Sequence, residues 1–260
     1  MFKDIKQVMK DSVLYGIGNV AVKLVGFILI PLYTDAEYFS TADYGLMGLL
    51  EVTSQILIAV MGLSLYSGLI RWYWDAEFRD KQKSVFFTTL LFTILTSLGV
   101  GGLLWLNVDG LSTLLIQQEG YSIGEELPYI LQLLILTSML GAVVEVPQNL
   151  LRLQSKPIYY SATNIVRLFV TLILTIYFTI SLHRGVAGVY EAQFFGIIIQ
   201  LFMVLPLIIK NSSLRIDKRC TIQLLSYSYP LVFPAIVGSL LTVFDRYIIN
   251  HFQGLEDVGF

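Results

Sequence analysis

Seven long apolar runs decide what this chain can become. They lie at roughly 12–32, 44–70, 84–106, 128–150, 159–182, 187–209 and 229–250, and are rich in Leu, Ile, Val and Phe. A bilayer-crossing helix needs about 20 mostly apolar residues, whereas barrel strands are about half that length and alternate in polarity. These runs are continuous, so helices are the expected form. Composition agrees: 55% of the 260 residues are hydrophobic and 14% are charged, too few to coat a soluble protein of this size. The expected fold class is an all-α polytopic membrane protein with about seven transmembrane helices. A soluble enzyme, a disordered chain, a collagen-like fibre and a disulfide scaffold are excluded, the last because Cys220 is the single cysteine. A net charge of −2 gives no reason to expect nucleic acid as a partner.

The connections between the runs set an orientation. With the N-terminus in the cytoplasm, the inside segments carry 13 of the 17 basic residues, among them Lys3, Lys6, Lys10, Arg71, Lys81, Arg152, Lys210 and Arg219. The outside segments carry one, Arg184, against nine acids. Positive loops stay cytoplasmic, and a missed or extra helix would scramble this alternation. The apolar run that follows the short polar start carries no A-x-A cleavage site, so it is expected to be retained as a helix.

The seventh run resembles the first. At an offset of 214 residues, Ser12–Leu46 lies against Ser226–Phe260 with six identities, including Tyr15/Tyr229, Tyr33/Tyr247, Asp43/Asp257 and Gly45/Gly259. The offset spans six helices, an even number, so both copies run in the same direction, as in a parallel duplication of a six-helix unit. Chance likeness of two helix-plus-loop ends would give a similar count. On the duplication, residues 1–210 form a six-helix lobe. Residues 211–228 form a cytoplasmic linker in which Thr221–Tyr229 can lie as a short surface helix. Residues 229–260 begin a second lobe, and the chain is expected to be a fragment or an early-terminated product.

Charges within the runs need an explanation, because one near the bilayer centre costs ~2.5–3.5 kcal/mol on insertion scales. At about 1.5 Å per residue, Lys23, Glu51 and Arg167 are the deep group, about 17 Å from the cytoplasmic start of its helix, about 10 Å in from the outside and about 12 Å in from the cytoplasm, respectively. Lys23 shares a helix face with Ser12, Gly16, Asn19 and Gly26. It either lines a cavity as a cation or pairs with Glu51 to hold two helices together. Arg167 stands in a row at spacing four with Thr163, Thr171, Thr175 and Thr179, beside Asn164. Threonines can satisfy their own helix backbone, but a guanidinium stays charged and brings five donors, a fork that suits phosphate or carboxylate. Contact with a substrate and an interhelical ion pair are both open for it. Glu51 either neutralises Lys23 or carries a coupling proton or Na⁺. Glu145 with Gln148, Asn149 and Arg152 reads as the polar inner end of a helix, with Arg152 in reach of the carboxylate. Glu191 and Gln193 open the sixth run near the outer surface. Asp245-Arg246 forms either a gate pair or a solvated terminus.

No Walker A motif, zincin motif or Cys-rich metal site is present, so no cofactor is expected. His183 and His251 fall in outer loops without a nucleophile, which argues against an intramembrane enzyme.

Several segments together resemble a known family. They are Gly26…Pro31-Leu32-Tyr33-Thr34…Ala42-Asp43-Tyr44-Gly45, Arg71-Trp72-Tyr73 and Asp245-Arg246-Tyr247. The chain is similar over its length to the polysaccharide transporters, the Wzx-like oligosaccharide flippases of the multidrug/oligosaccharidyl-lipid/polysaccharide exporter (MOP) superfamily. One departure is the acidic Asp35-Ala36-Glu37, where relatives more often carry a basic residue. The resemblance implies a two-lobed transporter, open alternately to each side of a prokaryotic cytoplasmic membrane. Its substrate would be a lipid-pyrophosphate-linked oligosaccharide, with polysaccharide assembly proteins as further partners. Lys23, Arg167 and Arg246 would offset the phosphate charge, Asn19, Asn164 and Thr171 would line the cavity, and Glu51 would couple an ion. A drug or other lipid exporter of the same superfamily, and an inactive fragment, are the alternatives; a cationic drug would call for carboxylates where Lys23 and Arg167 stand.

Overall fold

The computed structural model describes residues 27–115, 126–213 and 215–252, with side chains up to residue 238. Six helices among them are long and apolar enough to cross a membrane. They answer to the second through seventh predicted spans. The first span, 12–32, lies outside the described residues except for its end, helical at 27–33.

Helix α1 (Thr41–Gly62) starts on a capping box. Ser40 Oγ accepts from the Asp43 amide at 3.1 Å, and Asp43 Oδ2 accepts from the Ser40 amide at 2.8 Å, so two amides at the helix start are satisfied reciprocally. Sequence periodicity predicts one span over 44–70. The structure divides it, with α1 ending at Gly62 and α2 (Leu65–Trp72) starting two residues later. Leu63 and Ser64 both take left-handed backbone, at φ 45° and 50°. Left-handed conformation costs a residue with a side chain roughly 1–3 kcal/mol. Burial of Leu65 and Leu69 beyond the turn offsets this. Gly62 precedes the turn, but glycine is frequent within membrane helices and does not by itself mark a break.

Helix α3 (Gln82–Leu106) is followed by the short α4 (Val108–Leu115) and then α5 (Leu127–Leu153). Helix α6 (Pro157–Ile176) opens with proline, where a missing N–H costs nothing, and runs into a π-helical turn, Tyr177–Ser181. Ser155, left-handed at φ 51°, makes the tight reversal between α5 and α6. The chain ends in α7 (Gly185–Asn211) and α8 (Lys218–Phe252).

Helix α5 is the hub, packed against α1, α3, α6 and α7. Two apolar clusters hold the bundle. One gathers Leu46, Leu49 and Leu50 of α1 with Ile130, Leu131 and Leu134 of α5 and Val189 and Tyr190 of α7. The other gathers Leu69, Phe78, Phe86, Leu150, Leu151, Leu207 and Cys220 at the end rich in Lys and Arg.

The short surface helix expected over Thr221–Tyr229 is not a separate element. It forms the first turns of α8, which continues to Phe252 through Pro230 and Pro234. Cys220, Leu224 and Ser228, spaced by four, have no exposed surface. That face is buried on the protein and is unavailable to lie along a membrane. It seats where Gly68 of α2 leaves room: a Cβ at Gly68 would stand 2.7 Å from Ser228 Oγ. At the basic end, Lys81 Nζ meets Asp217 Oδ2 at 2.5 Å and Arg219 Nη1 meets Glu77 Oε1 at 3.2 Å. These pairs tie the start of α8 to the α2–α3 connection.

Candidate functional site

Between the two apolar clusters, α5 carries a polar stripe. Thr137, Gly141, Glu145, Gln148 and Arg152 recur at spacings of three and four and so share one helix face. Tyr160, Asn164 and Arg167 repeat the spacing on α6, and Gln193 and Gln200, seven apart, repeat it on α7. All of these line a cavity of about 270 Å³. Ser54 of α1 closes it and bonds Ser138 of α5 at 3.0 Å.

Arg167 is held by carboxamides. Its Nη1 donates to Gln200 Oε1 at 3.1 Å, and Gln200 Nε2 donates to Asn164 Oδ1 at 3.0 Å. Asn164 Nδ2 in turn donates to the Tyr160 carbonyl at 2.8 Å. Each member of this chain fixes the orientation of the next. Among the described residues no carboxylate lies within 4.0 Å of the guanidinium. Leaving a buried charge without a counter-ion costs several kcal/mol unless hydrogen bonds and water compensate. Gln200 supplies one such bond, and the cavity has room for water on the remaining donors.

Gln148 Nε2 donates to Thr163 Oγ1 at 2.8 Å, whereas its Oε1 is buried with no hydrogen-bond partner among the described residues. Unmet acceptors of this kind are uncommon in folded proteins. Arg152 does not pair with Glu145 as the sequence spacing allowed. Its guanidinium stacks 4.6 Å over the Tyr160 ring and donates to the Tyr160 hydroxyl. A ring one turn into α6 gives that planar group both a face and an acceptor.

Glu145 belongs to two cavities. Besides the one just described, it lines a cavity of about 470 Å³ with Gln55, Ser64, Tyr66 and Pro234, at the break between α1 and α2. Its Oε2 lies 3.9 Å from the Cβ position of Gly62, the last residue of α1. Glu191 sits elsewhere, in an ion pair with Arg184 that also takes the Tyr129 hydroxyl at 2.9 Å. The Arg184 guanidinium is held above its ordinary range by the Glu191 hydrogen bond.

Of the residues expected from sequence to form a substrate site, the structure brings Arg167 and Asn164 together at one wall. Thr171 lies outside that lining. Its hydroxyl faces α7, 2.2 Å from where Gly196 would carry a Cβ. Glu51 is exposed and lines neither cavity. Lys23 and Asn19 lie outside the described residues, as does the side chain of Arg246. Gln200 and Tyr160 were not expected. Their signal is the seven-residue step from Gln193 and the four-residue step to Asn164.

A family model described as polysaccharide biosynthesis protein matches residues 8–260. The chain belongs to that family. The fold is that of one lobe of MATE proteins. A MATE solved in complex with MaD3S has a TM-score of 0.74 at 15% identity, over 95% of this chain and 56% of that one. A MOP superfamily transporter from Pyrococcus furiosus gives 0.66 at 14% identity, over 95% and 55%. A Vibrio cholerae MATE transporter gives 0.68 at 15% identity, over 90% and 53%. The chain thus spans about half the length of these structures. No curated protein sequence matches it.

Proposed function

We propose that this chain is part of a MOP-superfamily flippase that moves a lipid-pyrophosphate-linked oligosaccharide across a prokaryotic cytoplasmic membrane for surface polysaccharide assembly. Residues 1–210 are its first lobe, with the N-terminus cytoplasmic. Residues between Asn211 and Lys218 are the linker, and α8 (Lys218–Phe252) opens the second lobe. The carrying observation is Arg167, a guanidinium on a cavity wall inside a membrane lobe, held by Gln200 and given no carboxylate among the described residues. A diphosphate head group is the complementary charge. The surrounding amides suit sugar hydroxyls. Membership of a polysaccharide biosynthesis family supports the same substrate class. Lys23 and Arg246 are further cations for the head group, and Asn19 and Asn164 further polar groups. The lipid tail stays in the bilayer.

The test is complementation by the complete protein in cells lacking their own flippase. Arg167→Gln and Lys23→Gln are expected to abolish surface polysaccharide with membrane insertion intact. Normal polysaccharide in both variants would remove the assignment.

A further inference from the structure

Glu145 is the one carboxylate on the walls of either cavity among the described residues. It stands where a negative charge is poorly placed. Its Oε2 is near Gly62, at the C-terminal end of α1, where the helix dipole already contributes negative potential. No Lys or Arg among the described residues lies within 4.0 Å of it. The ionisable groups that share its walls are Arg152 on its own helix, Arg167 and Tyr160 on α6, and Tyr66 on α2. The linings from α1, α7 and the described side chains of α8 bring none.

Arg152 is engaged by Tyr160 and Arg167 by Gln200, so Glu145 faces both cations across an open space and is bonded to neither. An anion entering that space meets two guanidinium groups and one carboxylate. It is attracted by the first two and repelled by the third. We propose that Glu145 is a proton-binding carboxyl that gates this cavity: the cavity accepts an anion when Glu145 is protonated and rejects it when Glu145 is ionised. This rests on the anion-binding reading of the Arg167 cavity. It moves the proton-carrying role from Glu51, which touches neither cavity, to a side chain that touches both. Binding linkage is reciprocal, so an anion seated beside Arg152 and Arg167 in turn favours a neutral Glu145. Because Glu145 also lines the cavity against α8, its charge is visible to the helix on the far side.

The test uses the purified complete protein in detergent with inorganic sulfate, a tetrahedral dianion that does not itself titrate in the working range. Sulfate binding is measured by calorimetry from about pH 5 to pH 8. Affinity is expected to fall with rising pH, approaching about tenfold per pH unit where Glu145 titrates, as a single linked proton requires. Glu145→Gln is expected to bind sulfate with the same affinity across the range, and Glu145→Asp to keep the dependence. A pH-independent wild type, or an equal fall in Glu145→Gln, overturns the gate. Sulfate binding that is absent in the wild type, or unchanged in Arg167→Gln, overturns the anion cavity beneath it.

Discussion

Arg167 on α6 and Gln200 on α7 are joined by a 3.1 Å hydrogen bond, and Gln200 is 1% exposed. Neither residue makes sense alone. A glutamine so deep in an apolar helix needs partners for both ends of its amide, and it finds a cation at one end and Asn164 at the other. The arginine receives an orientation without losing its charge.

The consequence is testable at Gln200. Replacing it with Leu removes an acceptor from Arg167 and strands Asn164 Oδ1, a loss of about 1–3 kcal/mol. Gln200→Glu keeps the shape and gives Arg167 a carboxylate. Thermal unfolding in detergent is expected to show Leu well below wild type and Glu between the two, because Glu keeps the Arg167 contact but brings no donor to Asn164 Oδ1. Sulfate binding is expected to weaken in Gln200→Glu, because the added carboxylate neutralises Arg167 and leaves Arg152 as the remaining cation on the wall.

Gly196 is required by the approach of α6 to α7. An added Cβ would stand 2.2 Å from Thr171 Oγ1 and 3.4 Å from the Arg167 carbonyl. Gly196→Ala is expected to destabilise the chain by about 1–3 kcal/mol. Thr171→Ala in the same chain removes the nearer atom, so much of the lost stability is expected to return. Additive losses in the double variant would mean that the helices are not this close.

The seating of α8 on α2 makes a cross-linking prediction. Ser228 Oγ lies 2.7 Å from the Cβ position of Gly68, within reach of disulfide geometry. With Cys220 replaced by Ser, Gly68→Cys and Ser228→Cys together are expected to form a disulfide under mild oxidation. Gly68→Cys paired with Tyr229→Cys, whose side chain is exposed, is expected not to.

Asp217 predicts an acid-dependent contact. The Lys81 hydrogen bond first, and the Cys220 amide after it, hold its carboxyl below the usual aspartate range. A carboxyl whose folded pKa is depressed contributes stability that is full above its unfolded value near pH 3.9, and that is lost as pH falls through the lower folded value. The contribution is small, because Lys81 is largely exposed and the pair is screened. Asp217→Asn is expected to lower stability slightly at neutral pH and to flatten the acid limb below about pH 4 by the same small amount.

The helices were legible in the sequence because membrane length and continuous apolarity leave little choice. Six described spans fall where the hydropathy places them. The break at Leu63-Ser64 was not legible, since a left-handed turn of a Leu and a Ser is imposed by packing and not by propensity. The surface helix over Thr221–Tyr229 misled for a related reason. Basic residues before it and a proline after it suggest an independent element, but the face formed by Cys220, Leu224 and Ser228 is buried on the bundle. Arg167 stood out as a charge that oil does not tolerate. Gln200 did not, because a single uncharged amide is an ordinary occupant of a membrane helix. Glu145 was visible, yet its helix-end setting concealed that it borders two cavities.

The most direct measurement is flipping of a lipid-pyrophosphate-linked oligosaccharide in proteoliposomes by the complete protein, with wild type, Arg167→Gln and Arg167→Lys compared. The account predicts that Gln lowers the rate at least tenfold, that Lys retains part of it, and that thermal stability changes little in either. Transport by Arg167→Gln at the wild-type rate would contradict it.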